Sequence, residues 1–468
     1  MTEPGALLLI ATYELGHQPL SLASPLAELR HADYAPAAID TAVETLPDAA
    51  IQRARVVAIA VPMHTALRLG VRVAQRVRAL NPTAYIVCYG LYAWLNADYL
   101  LRESADAVIG GDYEAPLVAL VRAVEERCSG PVPGVRTREH VASPLLRQPP
   151  RLVPDRRGLP PLDRYARLRH GETLALAGYV EATRGCLHTC LHCPITPLYG
   201  GRFVAVARET VLADVRQQVR AGARHITFGD PDFLNGPTHS LRIVRALHDE
   251  FPDVTFDATI KIEHILKYRG LFPELRALGC AFVVSAVESL SDTVLLRLRK
   301  GHTRADVGAA LDILGAADIP LRPSLVAFTP WTTLDDYLDV LDYVAARQLV
   351  EQVDPVQYTI RLLVPPGSAL LGEADTARWL GPLDEAAFTY RWEHPDPRMD
   401  ALYSAVSAAV EAGQRAGKSH QALFRRLRAL ALAAAGRDDS AAARATAWSE
   451  PALAGQRPLP HLTESWFC

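Results

Sequence analysis

Apolar runs without an internal polar position recur early in the chain, at residues 6–11, 56–61, 84–89 and 107–109, with a weaker one at 35–39. A strand that lacks polar alternation is one buried on both faces, as in a parallel sheet covered by helices. Segments 22–31, 66–80 and 115–127 have apolar residues three and four apart and read as helices, the second stopped by Asn81-Pro82. The pattern predicts a doubly wound, Rossmann-like α/β domain over residues 1–135. Its ligands should sit at the carboxyl ends of the strands, near 12–16, Met63, His64 and Thr65, Gly90 to Tyr92, and Gly110 to Glu114.

From 136 to 169 the pattern lapses into a Pro- and Arg-rich linker in which Pro149-Pro150 and Pro160-Pro161 prevent regular helix, so it should pack extended across the surface. Alternation then resumes. Strands are predicted at 174–180, 225–229, 255–260, 280–287, 321–328 and 355–363, with helices at 207–222, 238–251, 270–278 and 304–317. Six strands alternating with helices make a partial (β/α)6 barrel over 170–380, whose active residues belong at the strands' carboxyl ends. Beyond 381 the chain becomes Ala-rich, and helices at 399–416 and 419–435 predict a small α-helical region, 381–468, over the open side.

Composition narrows the class of function. A chain of 468 residues, 49% hydrophobic and 22% charged, is expected to hold two or three domains of a globular protein. A formal net charge of -3 offers no electrostatic reason to propose nucleic acid or an anionic membrane as partner. No apolar stretch approaches the roughly 20 residues that span a bilayer. The first apolar run is short and has no basic residue before it, so a cytoplasmic location is expected. Seven cysteines, three of them within eight positions, argue for metal or redox use over a disulfide framework. Cys88 and Cys280 lie in apolar runs and read as small buried hydrophobes, while Cys128 has no assigned role. Neither a Gly-x-Gly-x-x-Gly turn after the first strand nor a Gly-x4-Gly-Lys loop is present.

The three close cysteines lie in Arg184-Gly185-Cys186-Leu187-His188-Thr189-Cys190-Leu191-His192-Cys193-Pro194, directly after the apolar strand at 174–180. Thiolates from Cys186, Cys190 and Cys193 on one tight loop can hold three corners of an iron–sulfur cluster and leave the fourth iron without a protein ligand. The rival reading is a closed Cys3His zinc site using His188 or His192. Both histidines share the turn with the thiolates, where simultaneous ligation is strained, and no second ligand pair follows.

The spacing Cys-x3-Cys-x2-Cys resembles that of the radical S-adenosylmethionine (radical SAM) enzymes. The resemblance implies a [4Fe-4S] cluster on Cys186, Cys190 and Cys193, SAM chelated to the open iron, and reductive cleavage of SAM to a 5′-deoxyadenosyl radical. It implies an external electron donor of flavodoxin or ferredoxin type and a small-molecule substrate. Leu159-Pro160-Pro161-Leu162-Asp163 is similar to a motif that precedes such cores. His192 stands where the family has an aromatic residue near adenine. Gly229, Asp230 and Asp232 stand at the motif that meets the SAM amino group, and Ser285 and Glu288 at the fourth-strand motif near the ribose and carboxylate. Pro365-Pro366-Gly367-Ser368 resembles a further turn of the family, whereas Thr329-Pro330-Trp331-Thr332-Thr333 has lost the usual Gly and Glu. For each of these turns, a turn-forming role without ligand contact stays open.

A Rossmann-like domain ahead of such a core resembles the cobalamin-dependent members of the family. The resemblance implies cobalamin near Met63, His64, Thr65, Gly90, Gly110 and Gly111. The Asp-x-His-x-x-Gly loop is missing, so no axial histidine is expected from that motif. The last residues, Trp466-Phe467-Cys468, resemble the tails of a radical SAM group that continue into Cys-Ala-Glu-Pro or its selenocysteine counterpart, which implies a tail thiol at Cys468 and a reading frame cut at a selenocysteine codon. A free terminal thiol without use is the alternative. The expected activity is methyl transfer to an unactivated carbon or to phosphorus. A rearrangement or SAM-fragment transfer without methylation, and a non-catalytic metal- or cobalamin-binding sensor, stay open.

Overall fold

The computed structural model describes residues 1–128, 130–146, 152–437 and 459–464. Pro149, Pro150 and the tail residues Trp466, Phe467 and Cys468 lie outside them. In the first domain β1 (Leu7–Ala11), β2 (Ala37–Asp40), β3 (Val56–Ala60), β4 (Tyr85–Tyr89), β5 (Ala107–Ile109) and β6 (Val135–Thr137) form one sheet, in the order β2-β1-β3-β4-β5-β6. All pairings are parallel except β5 with β6. Leu8, Ile10, Val57 and Ile59 face one buried cluster, while Leu7, Leu9, Val56 and Ala58 face another. Because both faces are covered, the period of two shows no polar position, and a run such as Val-Val-Ala-Ile-Ala is the result. The strand order reverses between β1 and β3, where a crevice opens at the carboxyl ends.

The second sheet begins with a hairpin absent from the sequence reading, β7 (Arg167–His170) antiparallel to β8 (Thr173–Val180). The chain then adds β9 (Thr183–Gly185) and β10 (Phe203–Ala205), a short antiparallel pair, and the parallel strands β11 (His225–Phe228), β12 (Thr255–Thr259), β13 (Cys280–Glu288) and β14 (Leu321–Leu325). The resulting half-barrel runs β14-β13-β12-β11-β8-β7. At its sixth position the predicted strand 355–363 is a 3₁₀ turn, Pro355–Thr359, followed by a single bridge between Phe328 and Arg361. The side chain of Asp354 accepts from Val356 N at 3.3 Å, and Pro355 has no N–H for a ladder, so a capped turn replaces a strand.

The C-terminal part adds β15 (Leu380–Asp384) and β16 (Thr389–Trp392), a hairpin, then helices Pro397–Arg415 and His420–Ala434, which pack on the 3₁₀ turn through Tyr358 and Phe424. The chain returns as β17 (His461–Leu462) on the edge of β7. No helix among the described residues is long and apolar enough to cross a membrane.

The linker does more than cross a surface. Arg156 is buried, and its guanidinium donates to both oxygens of Asp214 at 2.6 and 2.8 Å, to the Tyr179 carbonyl at 2.6 Å and to Gln18 Oε1 at 2.9 Å. One planar fork thus joins the linker, the barrel and the first domain.

Candidate active site

The cysteine loop is held from three sides. Asp230, at the end of β11, accepts from Ala182 N at 2.9 Å and Thr183 Oγ1 at 2.5 Å, fixing the loop's base. Burial pushes its carboxyl up to about 7, partly offset by those donors. Gly229 beside it has no room for a side chain, since a Cβ there would lie 2.0 Å from the Tyr179 hydroxyl. Within the loop the Cys190 carbonyl accepts from Thr196 Oγ1 at 2.8 Å and Cys193 N at 3.3 Å, and Leu191 N donates to Leu298 O at 3.0 Å.

The three thiols influence one another, though of the three only Cys193 lines the cavity between the two sheets. Burial pushes Cys186 up to about 11 and Cys193 up to about 12, and each feels its neighbours' negative charge, Cys186 that of Cys190 and Cys193 that of both others. Thiols on one loop that raise one another's pKa suit a cation-rich centre that neutralises all three, as an iron–sulfur cluster does. The alternative zinc partners are otherwise engaged. His192 Nε2 lies 3.1 Å from Glu288 Oε1, and His188 lies against Asp232 and Lys261.

Glu288 ends β13 at a register shift and with φ of +63°, a left-handed conformation costly for a non-glycine residue. The bulge aims its carboxylate at His192 of the loop and at Lys300 Nζ, 3.2 Å away. Burial opposes this charge, but Lys300 and His192 hold the carboxyl down at about 2. The ammonium of Lys300 stays raised despite its burial, through Glu288 and the nearby thiols of Cys190 and Cys193.

The loop also reaches the first domain. Arg184 pairs with Glu114 at 2.7 Å and lies 3.8 Å from Asp112, with its guanidinium 5.0 Å over the Tyr113 ring. The acidic turn after β5, expected from sequence to meet a cofactor, here braces the cysteine loop. Local sequence carries no signal for this pairing, because its partners lie 70 residues apart along the chain.

Between the carboxyl edges of the two sheets lies one cavity of about 1180 Å³. Met63, His64, Thr65, Gly90 and Gly111 form its first-domain wall, and His192, Cys193, Gly229, Asp230 and Glu288 its barrel wall. Gly110 is displaced behind that wall, where a Cβ would strike Trp94 at 2.7 Å. Ser285, fully buried, and Asp232 do not line the cavity. His64 does, but its Nε2 is engaged with the Ala387 carbonyl at 2.8 Å. The altered turn at Thr329 to Thr333 serves as a helix start: Thr333 and Asp336 form a reciprocal cap of helix Leu334–Ala346. Sequence reasoning missed Arg184, Lys300, Arg322 and Glu464, all of which lie on the cavity wall or touch residues that do. Glu464 accepts from the Tyr13 hydroxyl at 2.8 Å, which brings the described end of the chain into the wall.

Residues 180–344 match the Radical SAM superfamily. The chain carries a radical SAM domain. Among curated proteins, it is similar to tRNA-2-methylthio-N(6)-dimethylallyladenosine synthase of Desulfosudis oleivorans, 26% identical over 220 residues, 45% of this chain and 46% of that protein. A second relative is the ribosomal protein uS12 methylthiotransferase RimO of Geobacter sulfurreducens, 27% identical over 189 residues, 37% of this chain and 41% of that one. The match thus spans less than half the length of either. In fold, the radical SAM domain and its neighbours resemble the cobalamin-dependent radical SAM enzyme OxsB with aqua-cobalamin bound, at TM-score 0.67 and 15% identity, covering 88% of this chain and 67% of that one. The radical SAM methyltransferase TsrM from Kitasatospora setae, solved with tryptophan and a SAM analog, gives TM-score 0.61 and 17% identity over 73% of this chain and 71% of that one.

Proposed function

We propose that the protein is a cobalamin-dependent radical SAM methyltransferase acting on a small molecule. The observation that carries this reading is the single cavity of about 1180 Å³ shared by both carboxyl edges. It exceeds the roughly 300–1,000 Å³ of a site for one drug-sized ligand, and it lets a corrin on the first domain face SAM and an acceptor in the barrel. Likeness in fold to a cobalamin-bound enzyme over 88% of the chain supports the same reading.

The residues fit these groups. Cys186, Cys190 and Cys193 would hold the cluster, and Gly90 and Gly111, which line the cavity with φ of +109° and +68°, would offer main chain without side chains to a corrin. When bound, the cluster and SAM supply a 5′-deoxyadenosyl radical and cobalamin supplies a methyl carrier. The chain's own part is placement and exclusion of water. Glu288, His192 and Lys300 fix the loop, while Phe228, Phe282, Val284 and Ala286 give the lumen an apolar wall. Arg322 also lines the lumen, and its buried Nη1 has no hydrogen-bond partner among the described residues. An acceptor with a carboxylate or phosphate would satisfy it. Arg322→Gln is therefore expected to raise the KM for an anionic acceptor about tenfold, the scale of one charge-assisted hydrogen bond, with SAM cleavage unchanged in its absence; an unchanged KM removes Arg322 from acceptor binding.

Anaerobic reconstitution with iron, sulfide and hydroxocobalamin, followed by reduction in the presence of SAM, tests the activity. The expected products are 5′-deoxyadenosine and S-adenosylhomocysteine. Deoxyadenosine without S-adenosylhomocysteine would mark a non-methylating radical enzyme, and neither product would mark a sensor.

A further inference from the structure

A second cluster of ligating side chains lies beside the cysteine loop and outside the cavity. His188, within the loop, places Nε2 3.4 Å from Asp232 Oδ2, and His264 places Nδ1 2.6 Å from the same oxygen. The three donor atoms lie within 4.8 Å of one another. Asp232 and His264 are only 1% and 5% exposed. None of these three atoms has an aligned hydrogen-bond partner among the described residues. Asp232 Oδ1 is served by Leu234 N at 3.3 Å and Lys261 N at 3.4 Å, which leaves Oδ2 directed to the histidines alone.

An ordinary buried His–Asp pair points an N–H at the carboxylate and is satisfied. Here two ring nitrogens and one carboxylate oxygen converge without that alignment, and leaving three buried polar atoms unpaired costs about 1–3 kcal/mol each. A cation at their centre satisfies all three together. The geometry points to a site for one divalent transition-metal ion, zinc or ferrous iron in type, held by His188 Nε2, Asp232 Oδ2 and His264 Nδ1 and distinct from the cysteine-bound cluster. Imidazole nitrogen with carboxylate oxygen is the donor set such ions prefer. With metal–ligand bonds of about 2.0–2.2 Å, ligand atoms of a tetrahedral ion stand roughly 3.3 Å apart, so shifts below about 1 Å complete the site.

The surroundings supply the outer partners. His188 Nδ1 lies 2.9 Å from Lys261 Nζ and 3.7 Å from Glu263 Oε2, and Lys261 and Glu263 are themselves 3.1 Å apart. As the structure stands, Nδ1 accepts from the Lys261 ammonium; with Nε2 on the metal, Nδ1 carries the proton and donates to Glu263 while Lys261 swings to its own pair with Glu263, the carboxylate–histidine–metal arrangement that fixes a ligand's tautomer. The three ligands come from the cysteine loop, the turn after β11 and helix Ile262–Lys267. None lines the cavity, so the ion ties the loop to the barrel and does not meet substrate.

The test separates this ion from any metal on the thiols. In a variant with Cys186, Cys190 and Cys193 all replaced by alanine, Co²⁺ titration is expected to give the d–d absorbance of one ion per chain, and zinc dialysis one equivalent by mass spectrometry. Adding His264→Asn should weaken binding by more than about 100-fold, beyond the 10–100-fold typical of losing an outer partner. Absence of a stoichiometric ion, or binding unmoved by H264N, overturns the site. Should the triple variant fail to fold, cluster-loaded wild type and H264N are compared. Equal iron with about one zinc lost supports the site, and equal zinc in both overturns it.

Discussion

Replacing Cys190 by alanine is expected to lower bound iron from roughly four per chain to well below one and to take 5′-deoxyadenosine and S-adenosylhomocysteine below detection. The reason is geometric. Cys190 is 7% exposed and is the middle of the loop's three cysteines, so its loss leaves two thiols for a centre that needs three. His192 is engaged by Glu288, and His188 is held at Nδ1 by Lys261. The backbone bonds that shape the loop, from Thr196 Oγ1 and Cys193 N to the Cys190 carbonyl, do not depend on the side chain, so the apoprotein should fold. Cys88→Ala is the control, because that thiol lies fully buried in the first domain's core and its loss should leave iron unchanged. Iron and cluster colour retained in Cys190→Ala would refute the ligand assignment.

Lys300→Met is expected to destabilise the barrel by about 3–5 kcal/mol at pH 7, the cost of stranding one member of a buried ion pair. Lys300 and Glu288 are 3% and 7% exposed, and their contact is 3.2 Å. The double variant K300M/E288Q should recover most of the loss, because glutamine removes the stranded charge and still accepts from His192. The pH dependence has a definite sign. The folded-state carboxyl of Glu288 is depressed from 4.5 to about 2, so the pair contributes fully above 4.5 and is lost as pH falls from 4.5 toward 2. Urea midpoints of wild type and K300M should therefore differ most at neutral pH and converge in acid. A constant difference across that range would mean that packing of the lysine stem, and not its charge, is what matters.

Much of this molecule is legible from local patterns. The runs at 6–11 and 56–61 announce buried parallel strands because two covered faces leave no polar position, and β1 and β3 are those strands. Asn81-Pro82 stops a helix at Leu80 for a reason contained in one residue's missing N–H. Local patterns say less where one local rule meets a competing one. Segment 355–363 has strand-like residues, yet Asp354 and Pro355 cap a 3₁₀ turn instead. The hairpin β7–β8 reads from sequence as linker plus one strand, since its first arm, Arg-Leu-Arg-His, has a single apolar residue and is paired on its outer side only by the two-residue β17.

What the sequence alone determined is a candidate for chemistry that fits within one short segment: Cys186, Cys190 and Cys193 on a loop after a buried strand, proposed as cluster ligands from a spacing that does not need the rest of the chain. Only the tertiary structure decided what that loop leans on. Arg184 against Glu114, Glu288 between His192 and Lys300, and His188 beside Asp232 and His264 are pairings between elements far apart in sequence. Each becomes defined only when sheet order brings strand ends together, because burial and charge pairing depend on distance in space and leave no periodic trace along the chain.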